Sequence, residues 1–111
     1  MATAIFVQEG GAVDYTPSSA VAAGDVVVQG DLVGVAVRPI PASTLGGLAV
    51  WGVFDFPKAA GTGKAIAAGK KVYWDATNKQ ATETTSGNTF LGKTVTAVGD
   101  SDTTVRVRLS Q

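Results

Sequence analysis

Apolar residues in this chain recur at every second position or in short unbroken runs, and no helical spacing lasts beyond a single turn. The cleanest alternation closes the sequence. Residues 103–109 set Val105, Val107 and Leu109 on one side and Thr104, Arg106 and Arg108 on the other, the mark of a half-buried strand. Residues 71–75 follow the same rule, with Val72 and Trp74 inward and Lys71, Tyr73 and Asp75 outward. Residues 32–38 are apolar on both faces, which predicts a strand covered twice. Residues 48–56 form the longest run and predict one continuous strand with large groups on both sides, ended by Pro57. Shorter strands are predicted at 4–8, 13–16, 26–28 and 91–98, and the threonine-rich stretch 80–85 reads as an exposed strand or loop. Glycine and aspartate punctuate the turns at 9–11, 29–31, 61–63 and 99–102, and 39–47 is a proline-bearing loop.

The pattern is used twice. Residues 20–27 read AVAAGDVV and residues 65–72 read AIAAGKKV, each predicting at most one helical turn closed by Gly24 or Gly69 before a strand. Further on, Leu32-Val33-Gly34 is answered by Phe90-Leu91-Gly92. A unit that cannot bury its apolar face alone must pack on its neighbour, so the echo predicts one body with internal pseudo-symmetry. The expected fold is all-β, a small barrel or sandwich of short strands. One domain spans residues 1–111, with an N-terminal strand or arm over 1–16, a first half over 17–58 and a second over 59–111.

Composition narrows the chemistry. There is no cysteine and no histidine, so thiolate sites, zinc fingers, Cys/His proteases and Ser-His-Asp hydrolases are excluded. Nine cations and nine anions cancel, which gives no general attraction to nucleic acid or to an anionic membrane. The first residues have no basic region and too short an apolar run for a signal peptide, and no run approaches a membrane span, so a soluble protein made in the cytoplasm is expected.

One motif invites a wrong assignment. Residues 87–94, GNTFLGKT, match the phosphate-loop string G-x-x-x-x-G-K-[ST]. That loop works only between a buried strand and a helix whose N-terminus holds the phosphates. Here a polar stretch precedes it and the β-branched run Val95-Thr96-Ala97-Val98 follows, so nucleotide binding is rejected. Asp100 and Asp102 are ordinary turn chemistry, and no cofactor or metal is expected. Residues 4–8 and 48–56 carry few charges to discourage edge pairing, which makes Ile5, Phe6, Val7 and Gln8, and then Trp51, Phe54, Phe56 and Pro57, candidates for partner contact. Arg106 and Arg108 share an outward face with Thr104, which reads first as a solvated strand face and otherwise as a contact for a nucleic acid backbone or an acidic partner.

Several blocks, taken in order, carry a resemblance: FVQEG at 6–10, AGDVV at 23–27, GDLVGVA at 30–36, GVFDFPK at 52–58, Ala68-Gly69 to Val72-Tyr73-Trp74-Asp75, and TTVRVRL at 103–109. Together they resemble the small phage and prophage proteins called capsid cement or decoration proteins. The sequence departs from that pattern at Gly69-Lys70-Lys71, where an acidic residue is usual after the glycine, and in the loop 39–47.

The resemblance implies a non-enzymatic virion protein, made in the host cytoplasm, that binds the exterior of a tailed-phage head. Its partners would be the major capsid protein and itself, as a homo-oligomer with a trimer favoured over a dimer, with no direct nucleic acid and no membrane. Its role would be to bridge capsomers so that the shell resists internal pressure. The competing reading is a small-molecule or carbohydrate-binding β-module that stacks its ligand on Tyr73, Trp51 or Trp74.

Overall fold

The computed structural model describes residue 4 and residues 11–110. Among these residues nine strands follow in order: β1 (Ala12–Tyr15), β2 (Val26–Gln29), β3 (Leu32–Ala36), β4 (Gly46–Ala49), β5 (Gly52–Pro57), β6 (Lys71–Asp75), β7 (Gln80–Thr82), β8 (Thr89–Thr94) and β9 (Thr104–Leu109). They form two antiparallel sheets, one in the order β1-β4-β3-β2 and one in the order β5-β9-β8-β6-β7. The sheets pack as an open sandwich, not a closed barrel. The strand predicted at 4–8 lies outside the described residues.

The two sheets share one plan. If β7 is set aside as an added edge, β5-β9-β8-β6 repeats β1-β4-β3-β2 strand for strand. The registers agree as well. Val26↔Val35 and Val27↔Gly34 in the first sheet are answered by Lys71↔Lys93 and Val72↔Gly92 in the second. Likewise Val35↔Ala49 and Ala36↔Leu48 are answered by Lys93↔Arg108 and Thr94↔Val107. The likeness also takes in β1 and β5, where Gly11-Ala12-Val13-Asp14-Tyr15 lies as Gly52-Val53-Phe54-Asp55-Phe56 does.

The repeated Ala-rich segments are not helical turns. Val21 exchanges both backbone hydrogen bonds with Ile40, at 2.9 and 2.8 Å, and Ile66 does the same with Val98, at 3.1 and 2.9 Å. That exchange holds the backbone extended at each site, and the chain turns only afterwards, at Gly24 (φ 89°) and Gly69 (φ 77°). The run 48–56 is likewise two strands. β4 ends at Ala49 and β5 begins at Gly52, whose φ of 127° favours glycine and lets the chain pass from one sheet to the other. As a result β4 is an inner strand, paired on both sides, while β5 is an edge.

Most of the apolar burial lies between the sheets. Val33 and Val35 of the first sheet meet Phe56, Val72, Trp74, Leu91, Val105, Val107 and Leu109 of the second, together with Ile66 and Ala81. A smaller cluster, Ala36, Ile40 and Leu48 with Val13, Tyr15, Val21 and Val27, closes the opposite face of the first sheet. β3 is therefore covered twice, as its two apolar faces require. Lys58 is buried beside this core, with Nζ donating to the carbonyls of Ala59 (2.8 Å) and Asp102 (2.9 Å), which fastens the end of β5 to the turn before β9.

Candidate interaction surface

The outer face of the second sheet brings exposed cations together with half-buried aromatic side chains. It arises directly from the alternation of β6 and β9, which sends Lys71, Tyr73, Arg106 and Arg108 away from the core as Val72, Trp74, Val105 and Val107 fill it. Strand order then makes neighbours of residues far apart in sequence. Lys71 stands opposite Lys93, and Lys93 opposite Arg108, so three cations cross three strands in one row, about 10 Å long at ordinary strand spacing.

One row further along β9, Arg106 makes a two-point ion pair with Asp55, Nε to Oδ1 at 2.9 Å and Nη2 to Oδ2 at 3.2 Å. The hydrogen bond from Arg106, helped by its charge and opposed by some desolvation, holds the Asp55 carboxyl below its ordinary value, and Asp55 raises Arg106 in return. Both side chains are about half exposed (54% and 50%), so the pair orients Arg106 more than it stabilises the fold. Asp75 is committed to its own turn: the Asn78 side-chain amide, then the backbone N–H groups of Asn78 and Thr77, lower its carboxyl. Among the described residues no carboxylate is paired with Lys71, Lys93 or Arg108.

The row lines a cleft of about 450 Å³ with Tyr73, Phe90 and Ser110. A β-bulge between Val72 and Tyr73 shifts the register so that Tyr73 lies opposite Phe90, with ring centroids 5.6 Å apart in an edge-to-face pair. Val53 and Val95 are also exposed, at 55% and 45%. The GNTFLGKT string is absorbed into this architecture, because its last six residues are β8. Lys93 points to the outer cleft, whereas Thr94 is buried, its hydroxyl donating to the Ala67 carbonyl at 2.6 Å and accepting the Lys70 N–H. The two side chains that would share a phosphate thus lie on opposite faces.

The remaining candidates are dispersed. Ile5, Phe6, Val7 and Gln8 lie outside the described residues. Trp51 is 57% exposed on the passage between the sheets, its indole against Gly11, where any Cβ would collide with Nε1. Phe56 is buried and Phe54 half-buried edge-on to it at 6.2 Å, so both rings serve the core, and Pro57 is exposed at the end of β5. Trp74 is buried 5.9 Å from Phe56 and cannot join Tyr73 and Trp51 in a stacking platform. A second apolar exposure, Val37 and Leu45, flanks a groove on the first sheet lined by Ala12, Gly47 and Ala49.

Sequence reasoning placed Arg106 and Arg108 on an outward face, as the structure has them, but did not join Lys71, Lys93, Tyr73 and Phe90 to them. The outward phase of Lys71 and Tyr73 was readable, but the strand order that gathers them was not. Among the described residues no three acidic side chains gather as a metal site would need.

A family model described as phage cement protein matches residues 7–109, nearly the whole chain. No curated protein and no solved structure matches.

Proposed function

The chain belongs to the phage cement protein family, and from that premise we propose that it binds the outer surface of a tailed-phage head and stabilises the shell by bridging capsomers. A structural role in the phage capsid comes with the family. The bridging act, the major capsid protein as partner, self-association as a trimer and the lack of any catalytic step are our reading. The observation that carries it is the extent of the match, which takes in both sheets and every strand of the sandwich.

The structure supports this reading in physical terms. A bridge must transmit load without unfolding, and both faces of β3 and the inner face of the second sheet are closed by packed apolar side chains. It must also offer surface to neighbours, and the outer face of the second sheet presents an arginine, an aromatic pair and exposed valines, residue types found at interfaces, beside two lysines suited to a charged partner. Repetition over many lattice sites multiplies a modest contact into stable attachment.

The test is cosedimentation of the purified protein with expanded heads that lack it, followed by imaging. Saturable binding at fixed lattice positions between capsomers is the expected result. A folded protein that leaves the cognate heads bare removes the proposal.

A further inference from the structure

The row Lys71, Lys93 and Arg108 is costly for a free protein. Like charges directly opposite on neighbouring strands repel, and these three are consecutive cross-strand partners. The carboxylates nearest in the sheet plan are already engaged, Asp55 by Arg106 and Asp75 by its own turn. We propose that this row, walled by the Tyr73–Phe90 pair, is the seat of a carboxylate-bearing segment of the shell protein, so that attachment to the head is electrostatically steered. The inference rests on the head-binding reading above and adds the partner's chemistry and the residues that meet it.

Two other anionic occupants fit the molecule less well. A second copy would need an acidic cluster of its own to match the three cations, and among the described residues no three acidic side chains gather. Asp25, Asp100 and Asp102 each accept a backbone N–H in a local turn or loop contact. Asp14, Asp31 and Glu83 stand singly on β1, on the β2–β3 turn and beyond β7. A nucleic acid presents a long run of phosphates, whereas this row ends after three cations and is bordered by a neutralised Arg106 and by apolar side chains in a chain of zero net charge. A short acidic peptide segment, whose carboxylates meet the cations and whose backbone and apolar groups lie on the aromatic pair, matches both the size and the mixed character of the cleft.

The experiment measures binding of wild type, Lys93→Glu, Lys71→Glu/Lys93→Glu and the control Lys64→Glu to expanded heads over a range of salt concentrations. Lys64 carries the same charge but lies outside the cleft. The expected result is at least about a tenfold loss of affinity for Lys93→Glu, a larger loss for the double variant, less than about a twofold change for the control, and wild-type binding that weakens steeply with salt. Thermal unfolding serves as the folding check. Lys93→Glu places an acid between two cations and is expected to unfold at or above the wild-type temperature, so weakened binding cannot be put down to misfolding. Wild type that binds while the row variants bind equally well overturns the inference and leaves head binding standing. Wild type that fails to bind at any salt overturns both. Row-dependent binding to a single-stranded oligonucleotide, or row-dependent self-association without heads, also overturns it in favour of those occupants.

Discussion

The two sheets are the same object in two circumstances. Each has one face closed by its own Ala-rich crossing segment, through the Val21–Ile40 bridge in the first and the Ile66–Val98 bridge in the second. They differ on the other face. In the first sheet the cross-strand row is Val26, Val35 and Ala49, and its valines pack into the core between the sheets. In the second the equivalent row is Lys71, Lys93 and Arg108, and it faces out. Backbone plan and register do not decide which face is buried. Three side chains per sheet carry that decision, because transferring a lysine into an apolar core costs far more than any strand pairing returns.

Moving a residue from one circumstance to the other should have the largest effect. Val35→Lys gives the first sheet the second sheet's residue at a position 5% exposed, and should destabilise by roughly 4–5 kcal/mol or prevent folding, as read by urea unfolding. Next come the paired aromatics Phe56 and Tyr15, equivalent in the plan but buried to different depths. Phe56→Ala should cost about 3–4 kcal/mol and Tyr15→Ala about half that, in the same assay. Gly92 and Gly34 sharpen the contrast further. A Cβ at Gly92 overlaps the carbonyl oxygen of Arg108 deeply, whereas at Gly34 it meets the Leu48 Cβ at 2.8 Å, a smaller overlap with an atom also held by its backbone. Alanine should cost roughly 2–3 kcal/mol at Gly92 and about 1–2 at Gly34.

The smallest difference lies in a charge pair that, among the described residues, the second sheet has and the first lacks. Asp55 faces Arg106, while its counterpart Asp14 faces Gly47. Because the folded Asp55 carboxyl is held below its unfolded value, its contribution is complete above the ordinary carboxylate range, near pH 4, and is lost as pH falls through the depressed folded value. Asp55→Asn should therefore lower stability slightly at neutral pH and leave it unchanged at the acid end, which flattens the acid limb, as measured by thermal melts between pH 2 and 7.

Much of this was legible in the sequence for a simple reason: alternation reports burial directly. The inward Val105, Val107 and Leu109, the inward Val72 and Trp74 and the doubly covered β3 were readable from period alone. So was the repeat, because a glycine in a positive-φ turn before a strand leaves a fixed imprint at Gly24 and Gly69. The passage of the chain at Val50 and Trp51 was not, since an apolar run gives no sign that it changes sheets midway. The echo of Gly11–Tyr15 in Gly52–Phe56 was too generic to notice before register aligned it. The cationic row could not be read either, as its members come from three strands whose order is a property of the sheet.

Two identical sheets in separate chains would form a symmetric pair and would have to present the same residues to both sides. Here the paired sheets are consecutive in a single polypeptide, joined through Val50 and Trp51, so each can drift independently. The same row has become core in one copy and surface in the other, and the product has a front and a back. A directional part of this kind can be laid on a curved lattice with one orientation at every site, which a symmetric pair could not guarantee.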